Sequence, residues 1–405
     1  MSKNALSLAN RAGHILLENG AEISRVESTM QRIADHYGED DGNFFVLSNG
    51  IIATGDDYAK AEFIPLKGAR LDKVAAVNQA SRDVAQLNLS LEQLEGRLDD
   101  ISRMPPKPAW EQILGSAVGA GFFAMIFGGS LADSAVAFIA GLVLHFFVYF
   151  VSGPYLSRLL GNISGGLIAA SVCIAAYHLG FGDHLGNMII GAIIPLVPGV
   201  PFTNGIRDIA GEDYLAGTTR LLDAFMMFLG IAAGVALAFV LDGAIFGGLI
   251  QLQAMKTDPV TAHPLWQLAA AFFGTAAFAI LFGVPRKHYL DCGFAGAAGW
   301  MTYIVLTRAA GFTPVEATFF GSMAVLLCSR FLAIWRRCPV TVFLVCGIFP
   351  LVPGGGLFWT SYYLIAGQTN AALSSGFLAV KICVAIALGI IVVEEAAKFF
   401  PSHHK

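Results

Sequence analysis

The sequence is poor in charge. Only 13% of its 405 residues are Asp, Glu, Lys or Arg, about half of the roughly 25% found in soluble domains. The shortage is uneven. Residues 1–109 hold 12 of the 25 Lys and Arg and 16 of the 29 Asp and Glu. The front quarter therefore has soluble composition, and residues 110–405 are membrane-like. This excludes one large soluble enzyme and a disordered chain. The formal net charge of −4 gives no basic surplus, so no nucleic-acid partner is expected. The six cysteines (Cys173, Cys292, Cys328, Cys338, Cys346, Cys383) lie in or beside apolar segments, none at CxxC or zinc-finger spacing. They exclude a disulfide scaffold and read as space-filling thiols. Asn10, Arg11 and His14 interrupt any apolar h-region near the start, so no signal peptide is expected and the front segment stays on the side of synthesis. No G-x-x-x-x-G-K-[ST] loop is present, which argues against ATP drive by this chain. No cofactor and no metal site are expected.

Long apolar runs are abundant. Ten of them, near 110–128, 133–152, 162–181, 186–203, 219–241, 264–283, 289–307, 313–334, 339–358 and 371–395, are long enough, or nearly so, to span a bilayer. Trp110, Trp266, Trp300, Trp335 and Trp359 fall mostly near their ends, as interfacial anchors do. Gly115 with Gly119 and Gly230 with Gly234 permit close helix packing.

The front segment, residues 1–104, reads as small α+β. Helical periodicity covers 6–17 and 23–33, short strands 44–47, 50–54 and 61–66, and a helix 71–87. Leu87, Leu91, Leu94, Leu98 and Ile101 form an a/d stripe. It suits a helix packing on its own domain or a short intersubunit coiled coil. Prolines make 105–109 a stiff linker. Glu39-Asp40-Asp41 and Asp56-Asp57 read as solvated turns. His14 and His36 stand alone, and no catalytic constellation is visible, so a regulatory or gating role is expected.

The apolar part repeats itself. Phe-Ala-Met-Ile-Phe-Gly at 123–128 matches Phe-Ala-Ile-Leu-Phe-Gly at 278–283, and Pro-Leu-Val-Pro-Gly at 195–199 recurs at 350–354, both offset by 155 residues. Two matches at one offset indicate duplication, with halves 110–245 and 262–398. Each half has five spans. Five is odd, so the second half enters the membrane from the opposite side. The fold expected is a polytopic α-helical membrane protein with ten transmembrane helices in two inverted-topology five-helix repeats, preceded by a small α+β cytoplasmic domain. With residues 1–109 inside, Arg158, Arg207, Arg220, Arg286, Lys287, Arg336, Arg337, Lys398 and Lys405 also fall inside, with Arg330 near that end. Only Lys256 and Arg308 fall outside. This obeys the positive-inside rule and places the C-terminus in the cytoplasm.

Pro195 and Pro198, like Pro350 and Pro353, remove backbone donors three residues apart and should break the fourth span of each half. Freed backbone groups cost several kcal/mol each in lipid unless they face protein or water, and another subunit of a homo-oligomer could also meet them. Paired broken helices at matching positions point to a transport site, though a structural kink without ligand is the plainer alternative. The candidate substrate-binding residues are Pro195, Pro198, Gly199, Thr203 and Asn204 in the first half, and Pro350, Pro353, Gly354, Thr360 and Ser361 in the second. Ionisable groups within spans are costly and hence functional candidates. His145, Asp223, Glu316 and Lys381 are the proton-coupling candidates. Asp223 either pairs with Lys381 or reaches the cytoplasmic interface, and Glu316 is also suited to an interfacial place.

The combination resembles the threonine/serine exporter family (ThrE type). Asn19-Gly-Ala-Glu22 after a first helix, Arg25-Val-Glu27, and Leu196-Val-Pro-Gly-Val-Pro201 followed by Asn204 and Asp208 are similar to that family's pattern. The second half resembles a smaller partner that some bacteria encode separately. It reads Pro353-Gly-Gly-Gly356, without the third proline, so the two breaks need not be equivalent. The resemblance implies export of threonine and serine across a bacterial inner membrane, driven by the proton motive force. Related two-chain members are similar to dicarboxylate exporters handling succinate. The residues alone reach an inverted-repeat secondary transporter of a small polar solute. A dicarboxylate exporter on the same scaffold, a membrane-bound hydrolase, and a channel or receptor with the front domain as sensor are the competing readings.

Overall fold

The computed structural model describes residues 5–65, 68–248, 250–252 and 257–398. Lys256, Lys405 and the side chain of Lys398 lie outside what it describes. The front body comprises α1 (Ala5–Glu18), α2 (Ile23–His36), strands β1 (Asn43–Leu47), β2 (Gly50–Gly55) and β3 (Tyr58–Phe63), then α3 (Leu71–Leu87) and α4 (Leu91–Ser102). The strands form an antiparallel meander, with Phe45 opposite Ile52 and Ile52 opposite Ala61. The third strand starts three residues earlier than expected from apolar pattern, because the turn at Asp56 and Asp57 leads straight back into pairing at Gly55 and Tyr58.

The leucine stripe is not one helix. Asn88 adopts a left-handed conformation (φ 50°) that ends α3, and a Ser90–Gln93 capping box starts α4. Leu87 is exposed, whereas Leu94, Leu98 and Ile101 are buried in the chain's own core. The stripe therefore packs on its own domain.

The apolar part follows as α5 (Ala109–Ile126), α6 (Leu131–Tyr155), α7 (Arg158–His178), α8 (Leu185–Leu196), α9 (Gly199–Ala210) and α10 (Tyr214–Phe246). The second half has α11 (Pro264–Leu281), α12 (Tyr289–Ala309), α13 (Pro314–Arg336), α14 (Val340–Leu351), α15 (Gly354–Ile365) and α16 (Thr369–Lys398). Among the described residues seven helices are long and apolar enough to cross a membrane, or nine if α8 with α9 and α14 with α15 each count as one bent span. The expected span near 289–307 is a helix, α12, but it is not among them. Asp291, three glycines and two threonines dilute its hydropathy. Its Trp300 is buried and donates to Gln267 across the core (2.8 Å).

The two halves meet along α5 and α11. A Cβ at Gly119 would overlap the Phe278 ring, and one at Gly274 would press on Phe123 at 3.1 Å. Residue numbers rise along one helix as they fall along the other, so the pair is antiparallel. Phe123 and Phe278, themselves 155 apart, stack at 4.7 Å where the helices cross. Both helices end at left-handed glycines, Gly128 (φ 93°) and Gly283 (φ 64°), again 155 apart; glycine takes this conformation without steric cost.

Candidate functional site

Each Pro-Leu-Val-Pro-Gly segment breaks its helix in the same way. A short 3₁₀ turn ends α8 at Leu196 and α14 at Leu351. Pro198 (φ −78°, ψ 62°) and Pro353 (φ −77°, ψ 54°) then sit at the centre of an inverse γ-turn. Its hydrogen bond runs from the Gly199 N–H to the Val197 carbonyl, and from the Gly354 N–H to the Val352 carbonyl, each 2.8 Å. The chain bends by 64° at the first break and 43° at the second. The breaks pack reciprocally: a Cβ at Gly199 would overlap Phe349, and one at Gly354 would press on Ile194 at 2.6 Å. Protein from the same chain therefore packs against both breaks.

A cavity of about 490 Å³ opens beside the first break. Pro195, Pro198, Gly199, Asn204, His145 and Asp223 all line it. So do Val148, Ser152 and Gly153, where α6 widens into a π-turn, a helical irregularity frequent at functional sites. The front body closes part of its rim through Glu18, Gly20, Gly68 and Ala69. The charged lining is balanced, with Arg158 and Arg220 against Glu18 and Asp223. Asp223 accepts from Arg158 at 3.4 Å in an exposed position, which corrects the alternative of a pair with Lys381.

Other expected site residues stand elsewhere. Thr203 is buried and its hydroxyl has no partner. Thr360 and Ser361 donate their hydroxyls back to Gly356 and Leu357 (2.7 and 2.8 Å), and so serve their own helix. Pro350, Pro353 and Gly354 are buried at the second break, away from the cavity lining. Glu316 forms a capping box with Thr313 at the start of α13, an interfacial role. Lys381 is exposed on α16. Asp133, Asp183 and His184 cluster closely enough for a cation. However, the Asp133 carboxylate already accepts from the N–H groups of Ser130, Asp183 and His184, which makes it a loop clamp.

The largest feature missed from sequence is a buried charge network between the front body and the broken helices. The Asn19–Glu22 turn enters between the two halves. Gly20, left-handed at φ 86°, brings its backbone against Val200 and accepts from Asn204 (2.7 Å). Arg220 donates to the Ala21 carbonyl and to Asp208, and the Ile23 N–H donates to Asp208. Glu22 contacts Arg207 of the first half (3.1 Å) and accepts from Thr341 of the second (2.6 Å). Arg207 reaches on to Glu394. Burial alone would raise the Glu22 carboxyl, but Arg207, Arg25 and the Thr341 hydroxyl outweigh it and hold it well below the usual carboxylate range. A second contact seats the start of α3. Its Leu71 and Asp72 N–H groups donate to the Phe282 and Gly283 carbonyls at the end of α11 (3.0 and 2.8 Å), satisfying two helix ends at once. Arg207 and Arg220 had been legible only as charges that set orientation. For Arg207, its place on the same short helix as Asn204 and Asp208, just past a break, was the available signal; Arg220, on the next helix, carried none.

A helical body able to cross a membrane many times, with two reciprocally packed breaks and a solute-sized cavity beside the first, defines a polytopic membrane transport protein. The description "Putative threonine/serine exporter" fits residues 7–242, and "Threonine/Serine exporter, ThrE" fits residues 267–396. The chain belongs to the threonine/serine exporter family, which is named for transport and not for an enzymatic activity. It is 23% identical to a "Probable threonine/serine exporter" of Mycobacterium tuberculosis, over 98% of this chain and 77% of that one. It is 22% identical to a "Threonine/serine exporter" of Corynebacterium glutamicum, over 97% and 82% respectively. A "Pheromone-regulated membrane protein 10" of Yarrowia lipolytica is 26% identical over 62% of this chain and 21% of that protein. No solved structure gives a significant match.

Proposed function

We propose that the chain exports threonine and serine by alternating access of two inverted five-helix halves, driven by the proton motive force. The observation that carries this reading is the pair of reciprocal proline breaks, the first of them beside the cavity. Broken helices in matching places of two repeats supply polar backbone to a solute at membrane depth. The antiparallel packing of α5 on α11, equivalent helices at the 155-residue offset, supports inversion and hence ten crossings with α12 as one of them. The balanced cavity charge suits a zwitterion better than a dianion, because Arg158 and Arg220 already face Asp223 and Asp208. In this reading Asn204, Gly199 and the Pro195–Pro198 turn contact the solute, and His145 and Asp223 are the groups placed to carry a proton. The front domain and the C-terminus lie in the cytoplasm of a bacterial cell, and the membrane is the inner one.

Proteoliposomes loaded with threonine, serine, succinate or malate test it. Gradient-stimulated efflux is expected for threonine and serine and not for the diacids. Succinate efflux without threonine efflux would transfer the assignment to a dicarboxylate exporter. Sidedness is tested separately in intact cells. A cysteine placed at Lys287 should be protected from an impermeant maleimide, and one at Asp258 should react, with the unsubstituted protein as blank. Reaction at both would refute the ten-span inverted arrangement.

A further inference from the structure

A second, larger groove lies between the front body and the outer side of α13 and α16, away from the cavity. It measures about 1580 Å³, and among the described residues its lining includes Arg25, Arg32, Arg82, Arg330 and Arg337 but no carboxylate. Five guanidinium groups converge on it from three elements: α2, α3 and the end of α13. Four of the five, Arg32, Arg82, Arg330 and Arg337, have no carboxylate partner among the described residues. Glu22 sits to one side on Arg25 (2.8 Å), and Glu394 on the adjoining helix is turned to Arg207. Two arginines spend a donor on neutral oxygens: Arg32 on the Ser81 hydroxyl and Arg82 on the Arg337 carbonyl. Arg330 is the informative one, because its Nη1 is buried and has no hydrogen-bond partner among the described residues. A charged donor left without an acceptor is expensive, and a ligand oxygen would relieve it. Arg82 is pushed below its ordinary value by burial and then by Arg32, Arg25 and Arg337, a mutual repulsion that an anion would reverse.

The remaining wall is apolar and faces outward. Met323, Leu327, Ile334 and Val392 line it, and Leu327, Ile334 and Val392 are exposed on the helix surface. Leu327 and Ile334 lie three and four residues from Arg330, on the same face of α13. One ligand thus meets guanidinium groups at its head and helix-borne apolar side chains along its tail.

We propose that this groove is a binding site for an anionic phospholipid of the leaflet on the front domain's side. The phosphate sits on Arg82, Arg330 and Arg337, and an acyl chain runs along α13 and α16. Basic pockets between helices at a membrane surface recognise headgroups in this way. The chemistry is shared with soluble phosphates, but those would leave the apolar wall unused. The bound lipid touches both α3 and α13, and so ties the front body to the membrane part beside the Glu22 network, which meets the groove at Arg25.

The test uses full-length, delipidated protein in detergent, with bound lipid read by native mass spectrometry. Phosphatidylglycerol should bind at least about tenfold more tightly than phosphatidylcholine. The triple variant R82Q/R330Q/R337Q should lose on the order of a hundredfold in phosphatidylglycerol affinity. K287Q, which removes a cation outside the groove, should stay within about twofold of the parent, as one surface charge contributes little. If the triple variant does not fold, R330Q against R330K decides, with binding expected to fall in the first and persist in the second. Equal affinity for the two lipids, or equal phosphatidylglycerol binding in parent and arginine variants, overturns the proposal. Displacement of phosphatidylglycerol by equimolar inorganic phosphate overturns the lipid assignment in favour of a soluble phosphate ligand.

Discussion

Threonine efflux from proteoliposomes is expected to fall to the level of protein-free vesicles when Pro198 and Pro353 are both replaced by alanine, with the protein still folded and inserted. Each proline holds an inverse γ-turn in which the next glycine N–H bonds to the carbonyl two residues back. Alanine has an N–H and no ring clash, so it favours continuation of the helix, and proline in a helix interior costs about 3 kcal/mol or more. With that penalty gone at both breaks, α8 and α14 can extend toward straight spans in which α9 and α15 no longer turn through 64° and 43°. Straightening also pulls Gly199 off Phe349 and Gly354 off Ile194, so the two halves lose their crossing. The single variants should rank. P198A is expected to do more damage than P353A, because Pro198 lines the cavity and Pro353 does not. Retained efflux in the double variant, with normal membrane content, would remove the breaks from the site.

The proline pattern was legible because it acts through the backbone, whose rules are local. Two residues without N–H groups break a helix wherever they stand, and the repeat at a 155-residue offset supplied the second copy. Side-chain assignments depended on faces that no local rule fixes. Asn204 and Thr203 are adjacent in sequence, yet only Asn204 lines the cavity and Thr203 is buried off it. Thr360 and Ser361 looked like solute ligands but bond to the preceding turn of α15, an alternative open to hydroxyls in any helix. The small sheet and the helices of the front body followed from apolar period, and the break at Asn88 divided the leucine stripe that period alone joined. The Glu22 network escaped because its members lie as far apart as residues 22 and 394 and come together only through the docking of the front body.

That network gives the second large effect. Replacing Glu22 with alanine leaves Arg207 paired with Glu394 alone and removes the only carboxylate that touches both halves through Arg207 and Thr341 among the described residues. Truncating one partner of a buried ion pair costs about 3–5 kcal/mol, more than a turn and one helix end can absorb. The Asn19–Glu22 turn and the start of α3 should then detach together. Amide hydrogen exchange reads this directly, because the Ile23 and Leu71 N–H groups donate across the junction. Their exchange is expected to quicken on the order of a hundredfold or more, while amides within α5 and α11 stay protected. Acid should act in the same direction. The Glu22 carboxyl is held below its ordinary value of 4.5, so its stabilisation is complete above that value and is lost as pH falls through the lower, folded-state pKa. Glu22's own contribution to docking should accordingly be flat from about pH 8 to pH 5 and be lost only in stronger acid. Gly20 and Ala69 form part of the cavity rim, so detachment opens one mouth. E22A proteoliposomes are expected to leak threonine without an imposed gradient. Fast exchange at Ile23 and Leu71 without leakage would make the front body a scaffold. Unchanged exchange would show that Glu22 does not hold it at all.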